Sequence, residues 1–146
     1  MNIDKEAPLI GKKVILINAP VHHVWNIQTD INAWPKWQKD ITSANLLGEL
    51  KQGTTFTWKA MGMGITSALR VVAKNEIIGW SGRSLGMYAL HVWKFEKQGK
   101  KTRVTTEESL SGWFPQLIRI FKPDFLEQSL TKALMTLKSE AEESRP

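Results

Sequence analysis

The 146-residue sequence contains no cysteine. A chain without thiols forms no disulfide, has no thiolate nucleophile and cannot build a cysteine-ligated zinc site, and this absence favours a reducing compartment. The histidines do not replace the missing ligands, because the neighbours His22 and His23 diverge on a helix and only His91 remains. The sequence therefore predicts no metal site and no cofactor.

Long apolar runs and clusters of basic residues are also missing. The apolar stretches fall far short of the roughly 20 residues that cross a bilayer, and Asp4 and Glu6 lie where a signal peptide would be basic and apolar. The net charge of +6 comes from scattered Lys and Arg in runs of two at most, which indicates a solvated surface. We expect a cytoplasmic protein without a transmembrane segment or nucleic-acid partner, either a monomer or a weak homodimer.

Tyrosine is nearly absent, with one residue against seven tryptophans. The hydrophobic fraction of 42% and the charged fraction of 23% are typical of a globular chain. The length suits one domain, residues 1–146, with a single core over about residues 10–143. The tryptophans are Trp25, Trp34, Trp37, Trp58, Trp80, Trp93 and Trp113. So many tryptophans in one domain need an explanation, which depends on where they lie relative to its interior.

Periodicity and turn signals predict an α+β order of elements. A strand over Lys13–Asn18 is followed by two short helices, one over Val21–Gln28 and one over Ile31–Trp37. Six strands follow between turn signals, over Ile41–Glu49, Thr54–Met61, Ile65–Asn75, Ile77–Leu85, Met87–Lys97 and Thr102–Leu110. From Gly112 the period is that of a long C-terminal helix, which Pro123 is expected to kink or split. The pattern predicts helices packed on one face of a seven-stranded antiparallel sheet.

Strand parity predicts which side chains share one interior, because alternate residues of a strand covered on one face point inward. A four-residue loop over 98–101 pairs Lys97 with Thr102 and sets His91 opposite Glu108, both inward. The inward rows are Phe56, Trp58, Ala60; Ile65, Ser67, Leu69, Val71, Ala73; Ile78, Trp80, Gly82, Ser84; and Met87, Ala89, His91, Trp93, Phe95. An inward His91–Glu108 pair indicates a cavity with a few polar groups. In the alternative, Glu108 lies at the wet rim and His91 is a satisfied core histidine.

Several short motifs accompany this order of elements. They are Ile-Asn-Ala-Pro at 17–20, Val24-Trp25, Trp34-Pro35-Lys36-Trp37, His91-Val92-Trp93-Lys94-Phe95 and Thr-Arg-Val-Thr-Thr-Glu-Glu-Ser at 102–109. Over about Ile10 to Glu143 the chain resembles the SRPBCC (START-like) superfamily, and most of all its polyketide cyclase/dehydrase and lipid-transport group. The resemblance implies a helix-grip fold, in which a curved seven-stranded sheet wraps a long C-terminal helix around a deep apolar cavity. It implies no universal catalytic residue.

Three functions are consistent with these features. The first is binding of a hydrophobic, ring-containing or lipid-like small molecule between sheet and helix. Its candidate ligand-binding residues are Trp58, Ser67, Leu69, Trp80, His91, Trp93, Thr106, Glu108, Phe114, Leu117, Phe121 and Phe125. The alternative is a polyketide cyclase or dehydratase in the same cavity, with His91 as general base oriented by Glu108. A further alternative is a protein-interaction module that exposes Trp34, Trp37 and Trp113, residues which would otherwise close the cavity mouth.

Overall fold

The computed structural model describes residues 1–145, which form one seven-stranded antiparallel sheet and four α-helices. The strands are β1 Leu9–Ile17, β2 Ile41–Leu46, β3 Thr55–Ala60, β4 Met63–Ala73, β5 Ile77–Ser84, β6 Met87–Gln98 and β7 Lys101–Ser111. The helices are α1 Val21–Thr29, α2 Trp34–Trp37, α3 Trp113–Phe121 and α4 Phe125–Glu143, with a 3-10 turn at Ile31–Ala33 before α2. The spatial order β1-β7-β6-β5-β4-β3-β2 brings the first strand against the last. This is the predicted helix-grip arrangement, with a curved sheet around a long C-terminal helix.

The β6–β7 hairpin has the register that its loop length predicts. Lys97 pairs with Thr102, and His91 stands opposite Glu108. Trp93, two residues from His91 on the same face, is buried as the parity requires. The hairpin prediction is therefore confirmed, and it places a histidine and a carboxylate side by side on the inner face of the sheet.

One predicted inward row is wrong at its far end. The pairing of β4 with β5 shifts by one residue between Leu69 and Val71, which is a β-bulge. Beyond the bulge Val72 pairs with Ile78 and packs against the core, so Val71 and Ala73 fall on the other face. The extra residue reverses any parity that is counted along the strand without it.

The C-terminal helical segment is split at Pro123, as expected. The first part, α3, ends at Phe121, and Asp124 lies at the N-cap position of α4. Proline has no N–H to donate and disfavours helical backbone in the residue before it, here Lys122. The break separates two helices that can direct their apolar faces differently.

The long helix α4 lies close against β1 because Gly11 has no side chain. A Cβ at Gly11 would lie 2.7 Å from Leu130 Cδ1 and 3.2 Å from Leu126 Cγ, so α4 could not approach as closely over any other residue. Along this seam α4 buries one row at helical spacing: Leu126, Leu130, Leu134, Leu137 and Ala141. The helix is thus anchored near one edge of the sheet, and space remains between it and the inner face of β3–β6.

Candidate functional site

A cavity of about 430 Å³ lies between α4 and the inner face of the sheet. This volume falls within the range of about 300–1,000 Å³ that is common for small-molecule sites. Most of its lining is apolar: Trp34, Ile41, Trp58, Ala60, Ile65, Trp80, Trp93, Leu110, Phe125 and Ala133. Three methionines near the β3–β4 and β5–β6 turns, Met61, Met63 and Met87, add flexible apolar surface. The cavity therefore suits an apolar guest.

Closely packed aromatic rings form one wall of the cavity. The ring centroid of Trp34 lies 5.4 Å from that of Trp58 and 5.6 Å from that of Trp80. Trp34 begins α2, and its indole Nε1 donates to the carbonyl oxygen of Gln28 at 3.0 Å. Because Trp34 is only 2% exposed, the expectation that it lies on the surface or at the cavity mouth is wrong. It belongs to the inner wall.

Three polar side chains are linked by hydrogen bonds in the part of the cavity wall formed by β6 and β7. Nδ1 of His91 lies 3.2 Å from Glu108 Oε2, and Nε2 of His91 lies 2.8 Å from Thr106 Oγ1. A carboxylate can only accept, so Nδ1–H donates to Glu108; in the tautomer with its proton on Nδ1, Nε2 accepts the Thr106 hydroxyl proton. Thr106 is fully buried behind the wall, while His91 and Glu108 line the cavity. The rim alternative fails because Glu108 lies in the cavity wall with 16% of its side chain exposed.

Helix α4 presents two neighbouring rows of side chains with different roles. The first row, from Leu126 to Ala141, packs α4 in the core, and its first two leucines also reach the cavity. The second row consists of smaller residues, Ser129, Ala133 and Thr136, and it lines the cavity. Since residues three and four apart stack along one face of a helix, the second row forms a continuous strip opposite the sheet. The size of these three side chains sets how far the cavity extends toward α4.

The cavity mouth is lined by charged side chains from two parts of the chain. Lys132 of α4 forms an ion pair with Asp40, which lies just before β2, at 2.6 Å between Nζ and Oδ2. Lys122, after α3, and Met61, at the β3–β4 turn, are exposed lining residues on the same opening. The interior is apolar and the opening is basic and polar.

Other kinds of site find little support in residues 1–145. None of the helices in this range has the length and apolar character needed to cross a membrane. No three His, Asp or Glu side chains in this range come together as metal ligands. His22 is exposed, while His23 Nε2 lies 3.1 Å from the Ala141 carbonyl oxygen. The cavity is the feature from which function can be argued.

The structure divides the predicted ligand-binding residues into three groups. Those that line the cavity are Trp58, Trp80, His91, Trp93, Glu108 and Phe125. Three others, Ser67, Leu69 and Thr106, are buried behind the lining. Ser67 accepts a hydrogen bond from Trp58 Nε1 at 3.0 Å, and Thr106 is hydrogen-bonded to His91. Ser67 and Thr106 therefore orient side chains that line the cavity. Leu69 belongs to the hydrophobic core.

The third group, on α3, was predicted wrongly as cavity lining. Phe114, Leu117 and Phe121 do not line the cavity, and Phe121 is 82% exposed. The prediction expected a kink or split at Pro123 but assumed that the apolar face of the segment continues through both parts. The break at Pro123 lets α3 pack Ile118 against the sheet edge and turn other apolar side chains outward.

Two lining residues on the helices before β2 were missed by the sequence analysis. Gln28 of α1 is buried and lines the cavity, and within residues 1–145 its side-chain amide makes no hydrogen bond. It shares a helical face with the buried Val24 and Trp25, so a polar residue on an apolar face was the available signal. Trp34 was recognised as part of a motif, but its inward direction depends on packing with residues far along the chain.

Comparison with known proteins agrees with this geometry. The family described as "Polyketide cyclase / dehydrase and lipid transport" matches residues 11–142. A hypothetical protein, jhp0584, from Helicobacter pylori superposes with a TM-score of 0.83 at 20% identity, over 95% of this chain and 91% of that chain. A START superfamily protein from Mycobacterium smegmatis gives 0.80 at 14% identity, over 92% and 97%. The Zhui aromatase/cyclase from Streptomyces gives 0.78 at 15% identity, over 91% and 93%. Comparison with curated proteins gave no significant match.

The fold and the cavity define a START-like helix-grip protein. Since the family match spans most of the chain, the protein belongs to the polyketide cyclase/dehydrase and lipid transport family. Family and fold are consistent with hydrophobic-ligand binding or with polyketide cyclase-type chemistry. These three structures are at or below 20% identity, so they establish the fold alone.

Proposed function

We propose that the protein binds a hydrophobic, ring-containing or lipid-like small molecule in the cavity between the sheet and α4. The observation that carries this proposal is the cavity itself, about 430 Å³ of space with aromatic walls. Protein interiors normally pack to the density of organic crystals. An apolar cavity of this size, next to a largely buried His91–Glu108 pair, is suited to holding a small molecule rather than to structural stability.

The chemistry of the walls describes the ligand. The rings of Trp58, Trp80 and Trp93 offer broad apolar contact to a flat or extended molecule. Oε2 of Glu108 is held by His91, whereas its other carboxylate oxygen makes no hydrogen bond to residues 1–145. A hydroxyl, phenol or amine on the ligand would donate to that oxygen. The proposed ligand is therefore largely apolar with at least one hydrogen-bond donor.

The geometry favours binding over catalysis. Both ring nitrogens of His91 already have partners, Glu108 at Nδ1 and Thr106 at Nε2. A general base must be within hydrogen-bond reach of the proton that it removes. His91 would have to release Thr106 before its Nε2 could take a proton from a substrate.

A ligand screen tests this function. The purified protein is first examined by native mass spectrometry for a bound molecule, and then titrated with fatty acids, sterols, flavonoids and aromatic polyketides. A ligand at one hundred times its Kd adds about 2.7 kcal/mol to the free energy of unfolding. For a domain of about 150 residues this corresponds to a rise in Tm of about 5–10 °C, accompanied by quenching of Trp fluorescence.

A pair of matched variants distinguishes cavity binding from surface adsorption. Ala133→Phe fills the cavity from α4, while Ala68→Phe adds the same ring on β4, outside the cavity lining. Overpacking the binding space is expected to weaken binding by about tenfold or more in Ala133→Phe. Ala68→Phe should keep the affinity of the parent. The proposal is wrong if no compound in the screen raises Tm or quenches fluorescence, or if both variants bind equally.

A second candidate is a polyketide cyclase or dehydratase, supported by the fold shared with an aromatase/cyclase and by the carboxylate in the cavity wall. Here His91 removes a proton from a carbon next to a carbonyl, and the carbanion attacks a second carbonyl carbon to give an alkoxide. The imidazolium returns the proton to this oxygen, and the hydroxyl then leaves as water with a proton from the adjacent carbon. Glu108 stabilises the protonated imidazole. Incubation with a poly-β-carbonyl thioester should yield a product lighter by water, and His91→Ala should abolish it. Unchanged turnover by His91→Ala would exclude this role.

We further propose that residues 1–146 act as one START-like ligand-binding domain with its core over about residues 10–143. The family match over residues 11–142 supports these limits. We expect this domain to act in the cytoplasm as a monomer or weak homodimer, which sedimentation velocity over a range of concentrations tests. A tight dimer at low concentration would contradict that expectation.

A further inference from the structure

Large apolar side chains project into solvent from α3 and the turn beside it. On α3 they are Trp113, Leu117, Ile120 and Phe121, and in the β5–β6 turn the apolar residue is Leu85. Phe121 is 82% exposed, Ile120 69% and Leu85 84%. Single exposed apolar residues are ordinary, but a group on one helix and its neighbouring turn marks an interaction surface.

These side chains form one surface because α3 packs against the β5–β6 turn and is hydrogen-bonded to it. The ring of Trp113 lies directly over Gly86, where a Cβ would collide with its indole, and Phe114 N–H donates to the Gly86 carbonyl oxygen at 3.1 Å. Leu85 therefore stands beside the first turn of α3. We call this group of five, Leu85, Trp113, Leu117, Ile120 and Phe121, the α3 face.

The α3 face lies at the end of the molecule where the cavity opens. In an antiparallel meander the β3–β4 and β5–β6 turns lie at the same end of the sheet as the end of β7, from which α3 follows. Met61, in the β3–β4 turn, is a further exposed apolar residue and lines the mouth. Lys122, which directly follows Phe121, lines the mouth as well.

The charged side chains on α3 and directly after it are basic. α3 contains no acidic residue, and Arg119 and Lys122 form no ion pair within residues 1–145. Two acids follow in the chain: Glu127 pairs with Lys13, whereas Asp124 accepts from the neutral Gln128 amide and keeps its charge. An acid-free helix with exposed apolar side chains and a basic edge is typical of helices that lie in the headgroup region of a membrane.

This charge pattern also separates the candidate occupants. A second copy of the chain docking by the same face in a twofold dimer would place the Arg119 and Lys122 of both copies at one interface, to which neither α3 contributes an acid. Like charges brought together at an interface are unfavourable. An anionic lipid surface complements the basic edge and accepts the protruding Phe121, Ile120 and Leu85 into its apolar layer.

We propose that the α3 face docks the protein onto an anionic lipid surface, with the cavity mouth turned toward the lipid. Trp113 lies at the headgroup level, where amphipathic indole rings are favoured. Arg119 and Lys122 contact lipid phosphates, and Phe121 inserts among the acyl chains. This docking stands on exposure and charge, so it does not depend on which molecule the cavity binds.

Co-sedimentation with vesicles tests the proposal. The full chain is mixed with vesicles of phosphatidylcholine containing phosphatidylglycerol, and separately with vesicles of phosphatidylcholine alone. Binding to the anionic vesicles is expected, with weaker binding to the neutral ones and at high salt. Phe121→Asp should lower the partition coefficient by about tenfold or more, the effect of losing one buried aromatic side chain. Replacing Arg119 or Lys122 by Gln should lower it by about fivefold each.

A matched control keeps the test specific to this face. Leu47→Asp introduces the same charge at an exposed leucine after β2, at the opposite end of the sheet, and should bind vesicles like the parent. An unchanged Tm in Phe121→Asp shows that the fold is retained. The proposal is overturned if neither vesicle type binds, if Phe121→Asp binds as well as Leu47→Asp, or if both vesicle types bind equally. It is also overturned if the chain forms a dimer that Phe121→Asp dissociates.

Discussion

Replacing Thr106 by Val should destabilise the protein because it leaves a buried ring nitrogen without a partner. Valine keeps the shape of threonine and removes only the hydroxyl that lies 2.8 Å from His91 Nε2. Thr106 is fully buried, and the second methyl of valine would occupy the position of the hydroxyl, so no water fits there. A buried polar atom left unsatisfied costs about 1–3 kcal/mol.

Urea unfolding followed by circular dichroism measures this cost, and a double-mutant cycle assigns it to the hydrogen bond. In thermal unfolding, where 1 kcal/mol corresponds to about 2–4 °C, the Tm of Thr106→Val should fall by about 2–12 °C. In a His91→Phe background the ring nitrogen is absent, and the Thr106 hydroxyl has lost its partner. Thr106→Val should then leave the free energy of unfolding unchanged or raise it. The two substitutions should therefore be coupled by about 0.5–3 kcal/mol.

Two results would refute the reasoning. The first is a change of less than about 0.5 kcal/mol for Thr106→Val alone, which would mean that the contact contributes no net stability. The second is additivity of Thr106→Val and His91→Phe within about 0.5 kcal/mol, which would mean that the loss arises elsewhere.

Three further perturbations probe the scaffold. Gly86 has a positive φ of 69°, which alone should make Gly86→Ala lower the free energy of unfolding by about 1–2 kcal/mol. The loss should be larger because the added methyl group would collide with Trp113. An unchanged urea midpoint would contradict this. Leu137→Ala empties a fully buried position of α4 and should cost about 2–5 kcal/mol, measured by urea unfolding. The hydrogen bond from Lys138 holds the pKa of Glu142 below its ordinary value of 4.5, so its stabilisation is present above pH 4.5 and is lost as pH falls through the lowered pKa. The Tm difference between the parent and Glu142→Gln should therefore shrink on acidification, and a difference that grows would disprove the sign.

The parts of the site that sequence could predict depend on short-range rules. A four-residue hairpin loop fixes the pairing of β6 with β7, and pairing fixes which side chains share a face. The contact between His91 and Glu108 follows from those two steps alone. The same rule failed in β4 beyond Leu69, because a bulge is a response to the curvature of the whole sheet and has no marker in the local sequence.

The outward direction of α3 was beyond sequence reasoning for a different reason. Phe114, Leu117 and Phe121 have the spacing of a buried helical face. Periodicity records which residues share a face but does not say what covers that face. Where Pro123 interrupts the segment, the direction of α3 is set by its attachment at Gly86, a contact between residues far apart in the sequence.

The two rows of α4 separate the tasks of holding the helix and shaping the cavity. The row that includes Leu134 and Leu137 anchors the helix, and substitutions there change the folding equilibrium. The row of Ser129, Ala133 and Thr136 lines the cavity and is only partly buried, so larger or smaller side chains there change the volume available to a bound molecule. The range of accepted molecules can therefore be changed by selection or design at three positions of one helix while the scaffold stays the same.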